Sequence, residues 1–525
     1  MAVAVSLWQK FISLFVTLSV CVFIMLPLAC SPASEQTSAD EVNQNREELD
    51  GFAQKRQSSS PPRGQKGDQN KGPTLILPAP YSGKLVSLSK LNIRDARLDE
   101  LLTSLTAPWA FEFINEREII ITEISGKLSR FNLENKEQVY ISGLPKIATK
   151  KTQTGLLDVE LHPGFKQNNR IYFSYTASDE NTGSFFRTVV ATAILKGNSL
   201  HELREITPPG HFGWSPSNFG GALEFDAQGY LYISIGDRSE GVLSQQGDRL
   251  EGKILRLHDD GSVPADNPFV GNDEIDDRIY ALGVRNPQGL HFDEASGILF
   301  ETEHGPMGGD EVNIIVSGAN YGWPTIGYGN DYLTLKKKGA THKTGLKQPL
   351  FYYLPSIATS PITVYRGAMF HEWDGDLLVG ALGGHHVSKL DLDNSVIRSE
   401  YPILEEINGR IRDIKVAKDG SILILSESGT LYRLYRDPSL KVEIKPAEKG
   451  FYYPWVCAGC HDTGVNSAPI LGNKADWKEI AKLPIELVYE RVMNGYNLMP
   501  ERGLCHKCTD EQLRGTVDYM LEQAR

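Results

Sequence analysis

Between residues 80 and 437 one unit recurs at intervals of roughly 50–60 residues, and units of that length and make-up leave few folds open. Each has an apolar strand, a short turn rich in Asp or Gly, a strongly apolar strand, and a strand of alternating basic and apolar residues. The third copy shows it best. It runs Gly221-Ala222-Leu223-Glu224-Phe225-Asp226, turns at Ala227-Gln228-Gly229, continues as Tyr230-Leu231-Tyr232-Ile233-Ser234-Ile235, and later supplies Lys253-Ile254-Leu255-Arg256-Leu257. The sixth matches it with Ile411-Arg412-Asp413-Ile414-Lys415-Val416, the turn Lys418-Asp419-Gly420, Ile422-Leu423-Ile424-Leu425 and Leu431-Tyr432-Arg433-Leu434. Others centre on residues 113–131, 157–195, 289–316 and 367–392. Four-strand units in series bury their faces against one another as blades of a β-propeller. The count is six; the competing fold is a β-sandwich with coincidental repeats. Propellers gather functional loops at one end of the axis. The candidates here are Asn218-Phe219-Gly220-Gly221, Arg285-Asn286-Pro287-Gln288-Gly289, His304-Gly305-Pro306 and Gly383-Gly384-His385-His386.

From residue 450 the apolar period changes from two to about 3.6. Here Trp455-Val456-Cys457-Ala458-Gly459-Cys460-His461 carries the attachment signature of c-type haem. Each thiol, Cys457 and Cys460, adds to one haem vinyl group, and the adjacent His461 becomes the proximal iron ligand. Zinc binding and dithiol cycling are the alternatives, and the trailing histidine and an oxidising compartment favour haem. Residues 477–492 read as a helix. Thr509-Asp510-Glu511-Gln512 has the form of a capping box opening a last helix with Leu513, Val517, Met520 and Leu521 on one face. The distal ligand is expected from Asn497-Leu498-Met499-Pro500, that is Met499, with Met493 as competitor. His/Met ligation raises the reduction potential and suits electron transfer. The expected fold class is therefore mainly β: a six-bladed β-propeller followed by a small all-α cytochrome c domain.

The N-terminus reads as export machinery. Lys10 precedes an apolar run over residues 11–29, and Cys30 follows Leu26-Pro27-Leu28-Ala29, close to a lipoprotein cleavage box. Lipidation of Cys30 would hold the protein on a membrane surface in the periplasm or cell envelope; a cleaved signal peptide and an uncleaved anchor are the alternatives. Residues 31–72 nearly lack large apolar side chains and cannot fold alone. The expected organisation is export segment 1–30, tether 31–79, propeller 80–437, linker 438–449 and cytochrome c domain 450–525. The formal net charge of −12 argues against a nucleic-acid partner. The propeller has no cysteine, so disulfides do not hold it together.

Several stretches resemble the quinoprotein glucose/sorbosone dehydrogenases. They are Gly155-Leu156-Leu157 with His162-Pro163, Ile279-Tyr280-Ala281-Leu282-Gly283-Val284-Arg285-Asn286-Pro287-Gln288-Gly289-Leu290, Asp310-Glu311-Val312-Asn313 and Asn320-Tyr321-Gly322-Trp323-Pro324. The resemblance spans residues 105–435 and implies a six-bladed propeller that binds pyrroloquinoline quinone (PQQ) and calcium. It implies that Gln153, Arg285, Asn286, Arg410 and Arg412 contact PQQ, guanidinium forks suiting its carboxylates. Gly305 and Pro306 match the carbonyls that hold the calcium polarising the quinone, and Glu311 and Tyr321 match a further, structural calcium. The C-terminal region resembles small bacterial monohaem cytochromes c with an extra cysteine pair, here Cys505-His506-Lys507-Cys508, which in that subgroup is a disulfide; zinc binding and free thiols are the alternatives.

The departures bear on activity. The family's general base is a histidine, and its place here is held by Asn218, with the orienting carboxylate retained as Asp237. An amide cannot accept a hydroxyl proton. The family's cofactor-contacting lysine falls at Gly383, and its quinone-covering tryptophan at Leu354. Substitute proton acceptors are His211, His304, His385 and His386, and Arg238 is a substitute cation. The reading is an exported quinohaemoprotein that oxidises a sugar of aldose or sorbosone type, or a related alcohol or aldehyde. Electrons pass to the haem and then to a cytochrome, oxidase or quinone acceptor. The rival is a catalytically degenerate propeller that serves as a docking module for the cytochrome.

Overall fold

The computed structural model describes residues 84–85, 95–149, 153–207, 212–407, 409–437, 450, 452–505 and 508–524. The export segment and Cys30, the tether as far as residue 79, the 438–449 linker and His211 lie outside those residues.

Six antiparallel sheets follow one another, as the repeats imply. Their innermost strands are Pro108–Phe113, Leu156–Leu161, Gly220–Phe225, Pro287–Asp293, Thr359–Val364 and Ile411–Val416, in blades 1 to 6. Each blade meanders outward from its inner strand. Blade 6 differs. Its fourth strand, Ala96–Leu102, comes from before the first repeat and pairs with Thr430–Arg436, Leu98 facing Leu434. The ring is thus closed by strands from both ends of the propeller, and Arg97 Nε reaches Asp437 Oδ2 at 2.5 Å beside the seam.

Apolar side chains fill the spaces between blades. Ile120 and Leu128 of blade 1, for example, meet Val159, Ile171 and Phe173 of blade 2. Around the axis, buried carboxylates tie one inner strand to the next. Asp158 Oδ2 accepts from Leu223 N (2.8 Å), and Asp413 Oδ2 accepts from Phe111 N (2.8 Å).

The fifth residue of every inner strand faces the axis. These six are Glu112, Glu160, Glu224, His291, Thr363 and Lys415, and they line a cavity of ≈ 740 Å³. Lys415 pairs with Glu112 at 2.5 Å. Burial pushes the Glu224 carboxyl up to about 8, with Lys415 opposing and Glu112 adding to the rise. A carboxyl raised in the folded state favours folding below its unfolded value, near 4.3, and this contribution is lost as pH rises through 8. Glu224→Gln is therefore expected to leave thermal stability at pH 5 nearly unchanged. At pH 9 it should add about 1–2 kcal/mol, discounted because Glu224 is only partly buried. Thermal unfolding followed by near-UV circular dichroism at the two pH values checks this.

Beyond the propeller the chain is helical. A π-helical turn, Tyr453–Cys457, runs directly into Ala458–His461. The single helix expected over 477–492 is instead broken. Lys474–Trp477 and Ile480–Lys482 are short turns, and the helix proper is Ile485–Asn494. Pro484 is the reason: it stands at the N-cap and cannot donate into a helix running through it. The last helix, Asp510–Gln523, opens on the expected capping box, with Thr509 Oγ1 accepting from Gln512 N and Thr509 N donating to Gln512 Oε1 at 2.7 Å. Leu513, Val517, Met520 and Leu521 are buried on it, and the last three pack with Tyr453, Trp477, Val488 and Tyr489. Cys505 and Cys508 form a disulfide, as the resemblance implied.

Candidate functional site

The connections that enter inner strands, and those between second and third strands, emerge at one end of the propeller. Gln153, Asn218, Asp237, Arg285, Asn286, Gly305, Pro306 and Arg410 lie on these connections. Asn218, in the turn before the inner strand of blade 3, has φ of 55°, a conformation Asn adopts more readily than most residues. Gly236 makes the turn possible, because a Cβ there would come within 2.3 Å of the Asn218 carbonyl oxygen. Asn218 Nδ2 donates to Asp237 Oδ1 (2.9 Å), and Asn218 N donates to Gln153 Oε1 (2.9 Å). Asp237 is held further by Ser239 N on Oδ1 (2.8 Å) and by Trp323 Nε1 on Oδ2 (2.8 Å). The three expected neighbours Gln153, Asn218 and Asp237 thus come together. The carboxylate that would orient an imidazole orients an amide instead.

Arg410 and Arg412 meet at a residue the motifs did not single out, Glu427. Arg410 Nε lies 2.8 Å and Arg412 Nη2 2.7 Å from the same Glu427 Oε2. Two guanidiniums on one carboxylate leave a positive surplus. Arg412 is nearly covered, at 10% exposure, and its guanidinium lies 4.1 Å from the ring centre of Trp109. Burial lowers it only to about 10, so it stays charged. Arg285 donates to the carbonyl of His304 (2.8 Å) and lies over Trp323, while buried Asn286 accepts from Gly220 N (3.2 Å). The donor set suits a flat anion bearing several carboxylates.

Carbonyl oxygens converge on the loop after His304. A Cβ added to Gly329 would come within 2.1 Å of the Pro306 oxygen and 2.2 Å of the Gly308 oxygen. Asp310 braces the loop, accepting from Gly305 N (3.0 Å) with one oxygen and from Ser356 Oγ and Ala358 N (2.6 Å each) with the other. Neutral oxygens gathered in this way are the type of ligand calcium takes; Pro306 is among them, whereas the Gly305 carbonyl faces Arg285 Nη1 at 3.5 Å.

In the next layer Glu301, Glu303, Glu311 and Asn313 occupy paired positions of two strands. Burial, and then charge from neighbouring carboxylates, raises Glu301 and Glu311 well above their usual range, and burial raises Glu303 to about 7. Glu301 Oε1 and Asn313 Oδ1 are buried without a partner. A hard divalent cation would relieve all of this. Among the described residues, however, no three acidic, His or Cys side chains stand in a ready metal array. Asn313 Nδ2 donates to both Glu301 (3.0 Å) and Glu311 (3.4 Å), so an amide bridges them. Tyr321 is buried, with its hydroxyl donating to Ile314 O (2.5 Å).

The substitute groups fare differently. His304 Nε2 donates to Thr359 O (2.6 Å), and Nδ1 faces Asn286 Nδ2 (3.3 Å). Burial pushes its imidazole down to about 4, which leaves it neutral and a weak base. His385 is exposed, and His386 Nδ1 lies 3.0 Å from Gly384 O. Arg238 does not supply a free cation to the site. Its guanidinium donates to the carbonyls of Ser217, Phe186 and Ser215 and covers Phe219 at 3.8 Å, so it pins the blade-3 loop. Gly383 and Leu354 are exposed and replace neither the lysine nor the tryptophan.

The haem motif has the geometry its chemistry needs. Cys457 and Cys460 stand on consecutive helical turns, and neither is in a disulfide. His461 is 8% exposed, and its Nδ1 lies 2.8 Å from the Pro469 carbonyl. That bond puts the proton on Nδ1 and leaves Nε2 free to bind metal. Met499 sits in a tight turn in which Met499 N donates to Tyr496 O (2.9 Å) and Tyr496 N to Met499 O (3.0 Å). The competitor Met493 has its sulfur 3.6 Å from Arg502 Nη1.

Residues 105–433 match the family model described as glucose/sorbosone dehydrogenase. Residues 449–520 match that of the cbb3-type cytochrome c oxidase subunit III. Aldose sugar dehydrogenase YliI of Escherichia coli is 33% identical over 348 residues, which is 64% of this chain and 92% of that one. The structure of the soluble E. coli aldose sugar dehydrogenase in its apo form superposes with a TM-score of 0.61, covering 65% of this chain and 99% of that one at 33% identity. Quinoprotein glucose dehydrogenase B of Acinetobacter calcoaceticus is 27% identical over 404 residues, 62% of this chain and 83% of that one.

Proposed function

The chain belongs to the glucose/sorbosone dehydrogenase family, and we propose that it is an exported quinohaemoprotein that oxidises an aldose or related sugar, alcohol or aldehyde. When bound, PQQ would supply a two-electron acceptor, calcium a Lewis acid and haem c a one-electron outlet. Arg410 and Arg412 would grip the carboxylates of PQQ, with Arg285, Asn286 and Gln153 around it, and the Gly305–Pro306 carbonyls would hold calcium. Asp237 fixes whatever side chain stands at position 218. His461 and Met499 would ligate the haem iron, and the thiols of Cys457 and Cys460 would form its covalent attachments. A lipidated Cys30 would keep the assembly at a membrane surface, near a downstream acceptor.

One observation carries the reading. A propeller end with surplus guanidinium charge and a carbonyl cradle is fused in one chain to a complete haem-binding motif. The test is to add PQQ and calcium to haem-loaded protein and to follow haem reduction with a panel of aldoses, alcohols and aldehydes. Slow reduction by at least one sugar is expected. No reduction with any of them, together with no PQQ binding, overturns the proposal. It would leave the docking-module reading, which the Asn218–Asp237 pair favours.

PQQ affinity tests the arginines separately from turnover. Arg412→Gln removes a charged donor and leaves Trp109 without its cation. It should weaken PQQ binding by roughly tenfold to a hundredfold in a fluorescence-quenching titration. Arg238→Gln should instead lower thermal stability.

A further inference from the structure

Blade 4 carries a long excursion between its third and fourth strands, Asp310–Ile314 and Phe351–Tyr353, and the proposed chemistry does not use its part beyond Gly329. It comes back to the site end, because Trp323 bonds Asp237 and Gly329 backs on the Pro306 and Gly308 carbonyls. Past Gly329 it projects. Tyr332, Leu333 and Leu335 are 61%, 93% and 66% exposed, the highest concentration of bare apolar surface among the described residues. The charge there is also anomalous. Residues 331–347 hold five lysines and a single acidic residue, Asp331, in a chain whose formal net charge is −12. Lys338 is tied to Asp331 (3.0 Å) and lies over Trp323. Lys336, Lys337 and Lys343 are exposed.

Three apolar side chains at a projecting tip with lysines behind them suit a boundary that is apolar inside and anionic at its rim. A globular partner would instead need a broad, shaped patch. We propose that residues 331–343 form a membrane-contact loop: Tyr332, Leu333 and Leu335 enter the headgroup region of an anionic bilayer, and Lys336, Lys337 and Lys343 meet its phosphates. Asp331 secures the base of the loop. Its carboxylate accepts from Leu333 N and Thr334 N (3.0 Å each) as well as from Lys338, so the tip is a formed turn.

The test places a nitroxide on Leu333→Cys in the full-length holoprotein. Collision with oxygen and with a water-soluble nickel chelate is then compared in solution, on vesicles with about a third phosphatidylglycerol and on phosphatidylcholine vesicles. On the anionic vesicles oxygen collision should rise and nickel collision fall several-fold. The Lys336→Glu/Lys337→Glu variant should need at least roughly tenfold more anionic lipid for that change. The comparison holds whether or not Cys30 is acylated, because it reads the loop and not the anchor. A label that stays water-exposed on anionic vesicles overturns the proposal. So does equal insertion into phosphatidylcholine, and so does a label already immobilised without lipid, which would mean that a protein surface covers the loop.

Discussion

Asn218→His is expected to raise the sugar-dependent turnover of the PQQ- and calcium-loaded protein by about a hundredfold or more, the usual worth of a positioned general base. The surroundings are already built for the change. Asp237 Oδ1 receives Asn218 Nδ2 at 2.9 Å, and an imidazole Nδ1–H would take over that bond and turn Nε2 away from the carboxylate. Trp323 Nε1 and Ser239 N hold Asp237 in place, so the new side chain need not order its own partner. The backbone is permissive too, since histidine shares with asparagine an enrichment at positive φ. The gain should appear in kcat more than in KM, with a new acidic limb in the pH–rate profile where the imidazole titrates. Adding Asp237→Asn to the Asn218→His variant should remove most of it. No gain would mean that Gly383 and Leu354, at the places of the family's lysine and tryptophan, mark a propeller that no longer holds the quinone for reaction.

The blades were legible because a strand half-buried between two neighbours writes its period into the chain, and six copies of the same writing reinforce one another. The closing strand Ala96–Leu102 alternates just as well, but it precedes the first repeat and has no copy to be compared with. The site was legible in part for a related reason. Asn218 and Asp237 lie within one blade and its turns, where a short motif fixes both. Trp323 reaches Asp237 from 86 residues away, and Glu427 joins the two arginines from another loop of blade 6. The first contact arises only when blades 3 and 4 close on one another, and the second only when blade 6 brings two of its own connections together. Arg238 failed as a substitute cation because residue type shows charge but not the three backbone carbonyls that consume it. In the helical region the break at Pro484 was readable from the residue itself, and the apolar period alone masked it.

Met499→Leu should leave the haem attached through Cys457 and Cys460 and ligated by His461. It should lower the reduction potential by about 0.2–0.3 V, part of the ~0.8 V range that axial ligands command. Leucine keeps the volume and loses the sulfur, so the effect is electronic. The turn that presents residue 499 is backbone-made: Tyr496 and Met499 exchange two backbone hydrogen bonds, and Asn497 supplies the positive φ between them. It should survive the substitution. Met493→Leu is the control. Its sulfur neighbours Arg502, whose Nη2 also donates to the Cys508 carbonyl (2.6 Å) and whose Nη1 pairs with Asp510 (2.9 Å). Losing that sulfur should cost well under 1 kcal/mol of stability and leave the potential where it was. A spectroelectrochemical titration of the two variants beside the parent separates the assignments. A drop with Met493→Leu and none with Met499→Leu would move the distal ligand onto helix Ile485–Asn494. If the assignment to Met499 holds, the same substitution should also slow sugar-driven haem reduction, because a lower potential removes driving force from the last internal electron step while the propeller is untouched.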